Sequence, residues 1–232
     1  MEIVNELDVV SLANKYESAS PQEILAKAVE QVSNLALACS FGAEDVVLLD
    51  MVMKISPTTK VFYLDTDLLF SETYDLINQI QDTYAIEHLI RVSPEISVHE
   101  QAAAYGDTLW SRHPDQCCDI RKVQPLTKML STLDGWITGI RRDQAPTRAN
   151  AQAFEEDLKF GLLKVNPLIR WTEQDVWQYI RDHHVPYNPL HDQGYPSIGC
   201  LHCTRMVQPG EDPRSGRWAG FQKTECGLHA SE

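Results

Sequence analysis

Short apolar segments alternate along this chain with longer segments of helical periodicity, and this alternation limits the folds open to it more than any other feature. The apolar segments 35–39 and 61–64 are followed by the helix-length segments 44–55 and 71–84. Further short apolar segments are 88–92, 136–139 and 162–165. Strands without apolar–polar alternation are typical of sheets covered on both faces. The pattern predicts an α/β fold with a doubly wound, mostly parallel sheet.

The two ends of the chain differ from this central region. Residues 1–34 are predicted to be helical, and Ser20 and Glu23 flank a proline in the pattern of an N-cap followed by a capping box. From Gln208 onward the chain is rich in proline, glycine and charged residues and has no apolar periodicity. We therefore predict an α/β domain over residues 1–207 and a mobile C-terminal arm over residues 208–232.

Composition excludes several classes of function. The chain has 232 residues and a net charge of −13, so it lacks the basic excess that general nucleic-acid binding requires. The longest apolar stretch, 46–52, contains Asp50 and is too short to span a bilayer, and the first residues do not resemble an export signal. We expect no nucleic-acid or membrane partner and a cytoplasmic, reducing location.

The basic residues cluster in the second half of the chain, close to cysteines and glycines. Such clustering in an acidic protein indicates a pocket for a small, highly charged anion, although solvated surface charges would give the same pattern. The residues concerned are Arg121, Lys122, Arg141, Arg142, Arg148, Arg205, Arg214, Arg217 and Lys223.

Four of the six cysteines have the spacing of a metal site. Cys200 and Cys203 form a Cys-x-x-Cys pair, and Cys117 and Cys118 are adjacent. Adjacent cysteines are awkward ligands for one tetrahedral zinc ion, whose usual sites use wider spacings. In a [4Fe–4S] cluster, neighbouring thiolates can bind different irons. The pattern therefore favours iron–sulfur over zinc, while Cys39, inside an apolar segment, is predicted to be a core residue.

The sixth cysteine, Cys226, lies apart from the others near the end of the chain. Lys223 and His229 flank it, and nearby cations lower the pKa of a thiol and favour the nucleophilic thiolate, whereas the adjacent Glu225 opposes this effect. Arg214 and Arg217 precede it and are suited to anion binding. We predict a reactive thiol on the C-terminal arm.

Two loops follow predicted strands and are candidates for anion binding. Ser40 and Gly42 lie between a strand and a helix, where a hydroxyl, backbone amides and the helix N-terminus can meet an anion. The turn matches neither a Walker A loop nor a dinucleotide fingerprint, and an ordinary strand-to-helix turn remains an alternative. Loop 139–148 follows another strand and contains three arginines, but it could equally be a solvated loop.

Taken together, these motifs resemble the assimilatory adenylyl-sulfate and phosphoadenylyl-sulfate reductases, in particular their thioredoxin-dependent, iron–sulfur branch. The resemblance extends from about residue 35 to about residue 229. The matching motifs are Ser40-Phe-Gly-Ala-Glu-Asp, Tyr63-Leu-Asp-Thr, Cys117-Cys118-Asp-Ile-Arg-Lys122-Val-Gln-Pro-Leu, Thr138-Gly-Ile-Arg-Arg-Asp-Gln144, Gly199-Cys-Leu-His-Cys203 and Glu225-Cys-Gly-Leu-His229.

The resemblance implies an adenine nucleotide alpha hydrolase-like fold and reduction of adenylyl sulfate to sulfite and AMP in sulfate assimilation. It implies a [4Fe–4S] cluster and thioredoxin or a glutaredoxin-like protein as reductant. The implied cluster ligands are Cys117, Cys118, Cys200 and Cys203. The implied catalytic residues are Cys226 as nucleophile, Lys122 and His229. The implied substrate-binding residues are Ser40, Gly42, Leu64, Gly139, Arg148, Arg214 and Arg217.

Departures from the family pattern and several alternatives accompany this interpretation. Asp67, Ser71 and Ala145 stand where the family commonly has glycine, proline and serine, and they affect the expected contacts of the nucleotide pocket. The alternative substrate is the 3′-phosphorylated nucleotide. Alternative functions are an AMP-forming, tRNA-thiolating enzyme, an iron–sulfur redox sensor without enzymatic activity, and a zinc-binding structural module. A homo-oligomer is compatible with the sequence.

Overall fold

A six-stranded sheet with the order β3-β2-β1-β4-β6-β5 organises the protein, as a computed structural model describing residues 8–221 and residue 223 shows. All neighbouring strands are parallel except β5, which pairs antiparallel with β6 at one edge. The strands are β1 (Leu35–Ala38), β2 (Lys60–Leu64), β3 (Leu89–Val92), β4 (Gly135–Ile137), β5 (Phe154–Asp157) and β6 (Leu162–Val165). The predicted α/β class and mostly parallel sheet are confirmed.

Helices connect the strands and cover both faces of the sheet. The α-helices are α1 (Val9–Tyr16), α2 (Pro21–Gln31), α3 (Ala43–Ile55), α4 (Ser71–Tyr84), α5 (Val98–Tyr105), α6 (Leu109–Arg112), α7 (Pro114–Cys118), α8 (Gln124–Leu130) and α9 (Glu173–His183). A π-helix, Asp119–Val123, joins α7 to α8. Short 3₁₀ helices are Arg142–Gln144, Pro146–Arg148, Pro189–Gln193 and Leu201–Cys203. Within the described residues, no helix combines the length and apolar character needed to cross a bilayer.

Local sequence signals explain where several helices begin. Ser20 caps α2, and Glu23 completes the predicted capping box by accepting a hydrogen bond from the Ser20 backbone amide at 2.8 Å. Thr172 and Asp175 form the same arrangement at the start of α9. Each box satisfies backbone amides that have no partner within the helix.

The central strands are continuously apolar because their two faces enter different parts of the core. Leu37 and Val61 contribute to the larger cluster, whereas Ala36 and Trp136 belong to a second cluster with α8. All four side chains are almost fully buried. Cys39 is also buried in the larger cluster, as predicted.

The order of strands places a topological switch point between β1 and β4. The chain runs from β1 through β2 to β3 on one side, and then returns to place β4 against the other side of β1. Loops at the carboxyl ends of β1 and β4 therefore diverge and leave a crevice between them, which is where open α/β sheets bind ligands.

The described residues after Gln208 contain no helix or strand longer than a single bridge. Arg217 pairs with Thr204 in an isolated antiparallel bridge, and the Trp218 amide donates to the Cys203 carbonyl at 3.0 Å. The Trp218 side chain is buried. This segment lies against the loop that carries Cys200 and Cys203; the domain boundary at residue 207 and the mobility of the arm stay predictions.

Candidate active site

A cavity of about 320 Å³ opens at the switch point between β1 and β4. This volume is within the range of small-molecule binding sites. Eight of the substrate-binding and catalytic residues implied by the sequence line it: Ser40, Gly42, Leu64, Lys122, Gly139, Arg148, Arg214 and Arg217. The structure thus brings together residues from five separate parts of the chain.

The turn after β1 is held by a buried carboxylate. The Ser40 amide and hydroxyl both donate to Asp45 Oδ2 at 2.6 Å. The left-handed residue of this turn is Phe41, with φ of 61°, while Gly42 has ordinary backbone angles and precedes α3 as its N-cap residue. Phe41 is buried edge-on against Tyr63, and this packing supports a conformation that is rare for a bulky residue.

Asp45 has an unusual protonation equilibrium. Burial raises the pKa of Asp45 to about 6, although the two hydrogen bonds from Ser40 and the charge of Arg148 lower it. The carboxyl group therefore titrates close to neutral pH while lying in the wall of a cavity with arginines. Sequence reasoning included Asp45 in a motif but assigned it no role.

Gly139 lets the end of β4 approach the first turn of α3. A Cβ atom at this position would lie 2.3 Å from Asp45 Oδ1 and 3.0 Å from the Glu44 Cβ. No side chain fits there without moving α3 or the Asp45 carboxylate, so steric exclusion explains why this position is a glycine. Close approach of these two elements defines the narrow side of the crevice.

The arginines of loop 139–148 have different surroundings. Arg141 is buried and forms an ion pair with Glu44 at 2.9 Å, and Arg142 forms one with Glu17 at 2.6 Å. Arg148 lines the cavity, and its guanidinium donates to Gln144. Arg141 also lines the cavity while it ties this loop to α3, whereas Arg142 does not line the cavity and ties the loop to the end of α1.

The four clustered cysteines meet beside this cavity. Cys117, Cys118, Cys200 and Cys203 line a smaller adjoining cavity, and Lys122 and Cys200 line both. The first pair lies at the end of α7, and the π-helix that follows carries Lys122. Such wide helical turns are rare and occur frequently at functional sites.

The cysteines influence one another electrostatically. Burial raises the pKa of Cys203 to about 12, and the charges of the other three cysteines add to this shift. Burial also raises the pKa of Cys117 to about 11. Burial alone would raise the pKa of Cys200, but Lys122, the Thr66 hydroxyl and Arg217 outweigh it, so this pKa is lowered. The Thr66 Oγ1 lies 3.3 Å from the Cys200 sulfur.

Arg217 packs against the backbone that leads into the second cysteine pair. Its Nη1 donates to the Ser197 hydroxyl and the Ile198 carbonyl, both at 3.2 Å. A Cβ on Gly199 would lie 2.2 Å from Arg217 Nη2, so the glycine lets the guanidinium lie directly on the chain. The guanidinium carbon also lies 4.6 Å from the centre of the Trp218 ring.

Asp67 shows how the chain accommodates one departure from the family pattern. Its φ is 56°, in the region that favours glycine, which is the residue common at this position in the family. The carboxylate forms ion pairs with Arg121 at 2.6 Å and Arg91 at 3.2 Å. Arg121 is 1% exposed, so Asp67 neutralises a buried charge next to Lys122.

Two residues assigned from the sequence, Cys226 and His229, lie outside the described residues. Conversely, sequence reasoning gave no role to several polar residues of the cavity wall, among them Asp45, Thr66 and His191. Asp45 and Thr66 lie within quoted motifs, so their position at strand ends was an available signal. His191 lies in the short 3₁₀ helix Pro189–Gln193 and has no spacing pattern that marks it.

Comparisons with known proteins agree with this architecture. Residues 34–206 match the model of the phosphoadenosine phosphosulfate reductase domain. An adenosine 5′-phosphosulfate reductase of Shouchella clausii is 54% identical over 196 residues, covering 84% of this chain and 81% of the relative. One of Staphylococcus epidermidis is 46% identical and covers 99% of this chain and 93% of the relative.

Solved structures resemble the fold as well. A crystal structure of phosphoadenylyl-sulfate reductase from Candida auris, as a phosphate complex, has a TM-score of 0.75 and 33% identity, and covers 86% of this chain and 96% of that one. A Candida glabrata FMN adenylyltransferase has a TM-score of 0.61 at 13% identity, over 94% of this chain and 76% of that one, and shares the fold alone.

The doubly wound sheet and the cavity at its switch point define an α/β protein with the fold of the solved phosphoadenylyl-sulfate reductase. Within that class, the match over residues 34–206 and the relatives at 46–54% identity identify a single family. The chain belongs to the phosphoadenosine phosphosulfate reductase domain family.

Proposed function

We propose that the protein reduces adenylyl sulfate to sulfite and AMP, with thioredoxin or a glutaredoxin-like protein as the electron donor. The main support is that the switch-point cavity and the four-cysteine cavity are neighbours whose walls share Lys122 and Cys200. An adenine nucleotide in the first would extend its anionic end toward Lys122, Arg214 and Arg217.

Adenylyl sulfate is the preferred substrate in this proposal, ahead of its 3′-phosphorylated form. The relatives at 46–54% identity are named adenosine 5′-phosphosulfate reductases, whereas the solved phosphoadenylyl-sulfate reductase is 33% identical. The cysteine quartet favours the same choice through the family resemblance. Sulfite release measured with each nucleotide tests this preference directly, and faster release from the 3′-phosphorylated form would reverse it.

The cysteine quartet is suited to a [4Fe–4S] cluster. Among residues 8–221 and Lys223, no three His, Cys, Asp or Glu side chains are placed to share one metal ion. The four sulfurs nevertheless line one small cavity, as expected where each thiolate binds a different iron. Cys117, Cys118, Cys200 and Cys203 would be the ligands. When bound, the cluster would supply an electrostatic and structural support for Lys122 beside the substrate.

The first chemical step would be nucleophilic attack by Cys226. Its thiolate attacks the sulfur of the sulfuryl group, the bond from that sulfur to the bridging phosphate oxygen breaks, and AMP leaves with the bonding electrons. The product is an S-sulfocysteine on the enzyme. Lys122 and the two arginines reduce the repulsion between the thiolate and the anionic substrate, and stabilise charge as it moves onto the phosphate.

The second step would release sulfite. A thiolate of the reductant attacks the Cys226 sulfur, sulfite leaves with the electron pair of the S–S bond, and a mixed disulfide forms. The second thiol of the reductant then displaces the Cys226 thiolate, which leaves the reductant oxidised. A terminal arm that closes for the first step and opens for the second would expose the intermediate to the protein reductant.

Substitution of the proposed nucleophile tests the mechanism. We expect Cys226→Ser to retain the iron–sulfur absorbance and AMP binding of the wild-type protein, but to form no sulfite from adenylyl sulfate. Sulfite formation at a rate near that of the wild type would disprove the assignment. Cys39→Ser, at the buried cysteine outside the quartet, serves as a control for cysteine loss.

Metal analysis distinguishes this function from the two non-enzymatic alternatives. We expect about four irons and four acid-labile sulfides per chain in anaerobically purified protein. A colourless protein that contains zinc would support the structural-module alternative. A protein with the cluster that releases no sulfite, even with reductant present, would support the redox-sensor alternative.

A further inference from the structure

His191 is a histidine in the wall of the switch-point cavity, and its ring nitrogens form no hydrogen bond of good geometry with the described residues, although the Tyr195 backbone lies close enough to act on the ring. Both Nδ1 and Nε2 are shielded from solvent. Buried polar groups in folded proteins are normally hydrogen-bonded, so each exception calls for an explanation. Since the ring lines a cavity, a ligand bound there can supply the missing partner.

The ring is held in place by its surroundings. His191 lies in the 3₁₀ helix Pro189–Gln193, which Asn188 caps by accepting from the Leu190 amide at 3.0 Å. Asn188 is itself buried and donates to Thr73 on α4 at 3.0 Å. The ring packs edge-on against Trp177 of α9, with centroids 5.1 Å apart. These contacts fix the backbone and one face of the ring.

A half turn about the Cβ–Cγ bond exchanges the positions of the ring's nitrogen and carbon atoms. The imidazole can therefore present a nitrogen to a bound molecule without any shift of the 3₁₀ helix. Burial lowers the pKa of His191, and the charges of nearby acidic groups together with the Tyr195 backbone only partly oppose this. The ring is then neutral at neutral pH, with one N–H donor and one acceptor nitrogen.

The charges around the ring indicate which part of a nucleotide it can contact. Glu44, Asp192 and Glu173 all act on His191 electrostatically, and Glu44 and Glu173 also line the cavity. An anionic phosphate or sulfate would be repelled by this acidic side of the cavity. Lys122, Arg214 and Arg217 line the cavity as well and offer the anionic end a favourable place.

We propose that His191 is a substrate-binding residue that forms a hydrogen bond with a ribose hydroxyl of the adenine nucleotide. A hydroxyl is neutral and can both donate and accept, so it pairs with either tautomer of the imidazole. The inference rests on the proposed nucleotide substrate, and it adds a sugar-recognising group to a site whose proposed basic side chains contact the anionic end.

A ligand-deletion cycle tests this contact. The affinities of AMP, 2′-deoxy-AMP and 3′-deoxy-AMP are measured by calorimetry for the wild-type protein and for His191→Phe, which keeps a planar ring against Trp177. We expect His191→Phe to weaken AMP binding about tenfold, the value of one hydrogen bond between uncharged groups. One deoxy analogue should bind the wild type about tenfold more weakly than AMP does. The same analogue should bind His191→Phe as tightly as AMP binds His191→Phe.

Two results would overturn the proposal. Unchanged AMP affinity in His191→Phe, or additive losses for both deoxy analogues, would show that the ring makes no bond to the sugar. His88→Phe, at an exposed histidine that precedes β3, is the matched control and should bind all three nucleotides like the wild type.

Thermal unfolding separates a binding role from a structural one. Because phenylalanine has no polar atoms to leave unsatisfied, His191→Phe should unfold at the same temperature as the wild type or higher without nucleotide. If this variant does not fold, His191→Gln replaces it in the cycle; it should retain AMP affinity to within about threefold. Wild-type protein that binds AMP but releases no sulfite would contradict the proposed reaction and leave the His191 contact standing.

Discussion

Folding disfavours ionisation of the Asp45 carboxyl group. Its carboxylate accepts two hydrogen bonds from Ser40 and lies against Gly139, yet burial raises the pKa of Asp45 to about 6. The unfolded chain would ionise this group near the ordinary value of 3.8. Between these two values the folded protein binds more protons than the unfolded chain does, so stability falls as the pH rises through this window.

We therefore expect Asp45→Asn to remove one component of the pH dependence of stability. The free energy of unfolding of the wild type should fall relative to that of the variant by about 2 kcal/mol between pH 4 and pH 6.5. The amide oxygen of asparagine can still accept the Ser40 hydrogen bonds. Urea unfolding of both proteins across this range measures the difference, and parallel curves would contradict the raised pKa.

At the scale of single residues, the sequence marks positions where chemistry or steric demand depends on residue type. The cysteine quartet stands at diagnostic spacings, Gly139 follows a strand and Lys122 is implied by the family resemblance, and all of them line the two neighbouring cavities. His191 carries no such mark, because its burial depends on how the loop after α9 folds back onto Trp177.

At the scale of secondary-structure elements, Asp50 links three helices through its buried carboxylate. It lies on α3 and accepts from the Tyr84 hydroxyl of α4 at 3.0 Å and the Tyr179 hydroxyl of α9 at 2.6 Å. Lys54 forms an ion pair with it at 2.7 Å. Because all its oxygens are satisfied, this charge can be 3% exposed without a large desolvation penalty.

Removing the hydroxyl of Tyr84 or Tyr179 should weaken the contact between the three helices without affecting catalysis. We expect Tyr84→Phe and Tyr179→Phe each to lower the free energy of unfolding by about 1–2 kcal/mol, since each takes a hydrogen bond from a buried carboxylate. The loss in the double variant should differ from the sum of the single losses, because the two hydroxyls share one acceptor. Chemical denaturation measures all three.

Tyr105→Phe provides the control for this series. Tyr105 is 43% exposed, so loss of its hydroxyl should change stability by less than about 0.5 kcal/mol. A comparable loss in this control and in the two network variants would show that the Asp50 junction contributes nothing specific.

Elements with strong local signals were predictable, and elements defined by their neighbours were not. The capping boxes of α2 and α9 and the apolar strands of the parallel sheet are readable from a few adjacent residues. The edge strand β5 is Phe-Glu-Glu-Asp, and only Phe154 is fully buried, so its acidic residues conceal it. The π-helix, Asp119–Val123, has no distinctive composition that would mark it in the sequence.

At the scale of the whole molecule, the switch-point cavity joins segments from both halves of the chain. The turn after β1, the ends of β2 and β4, the first turns of α9 and the loop near Cys200 all contribute to its wall. A ligand that binds here contacts elements that would separate on unfolding. Binding to the folded state alone raises stability in proportion to the logarithm of ligand concentration.

We expect AMP, at a free concentration about 100 times its Kd, to stabilise the protein by about 2.7 kcal/mol. For a chain of this length, this corresponds to an increase in Tm of roughly 5–10 °C. Differential scanning fluorimetry measures the shift. Adenosine at the same concentration lacks the phosphate that Lys122 and the arginines attract, so its effect should be smaller; equal shifts would contradict an anion-binding role for these residues.

The isolated bridge between Leu69 and Cys200 has a consequence for how the protein is made. It brings the second cysteine pair to the end of β2, which leaves the ribosome long before residues 200–203 do. Until then, Cys117 and Cys118 lack the two partners that complete their cavity. If the quartet binds the proposed [4Fe–4S] cluster, we expect the cluster to assemble only after residues 200–203 have been synthesised, and the colour of the purified protein would then report that both cysteine pairs have come together.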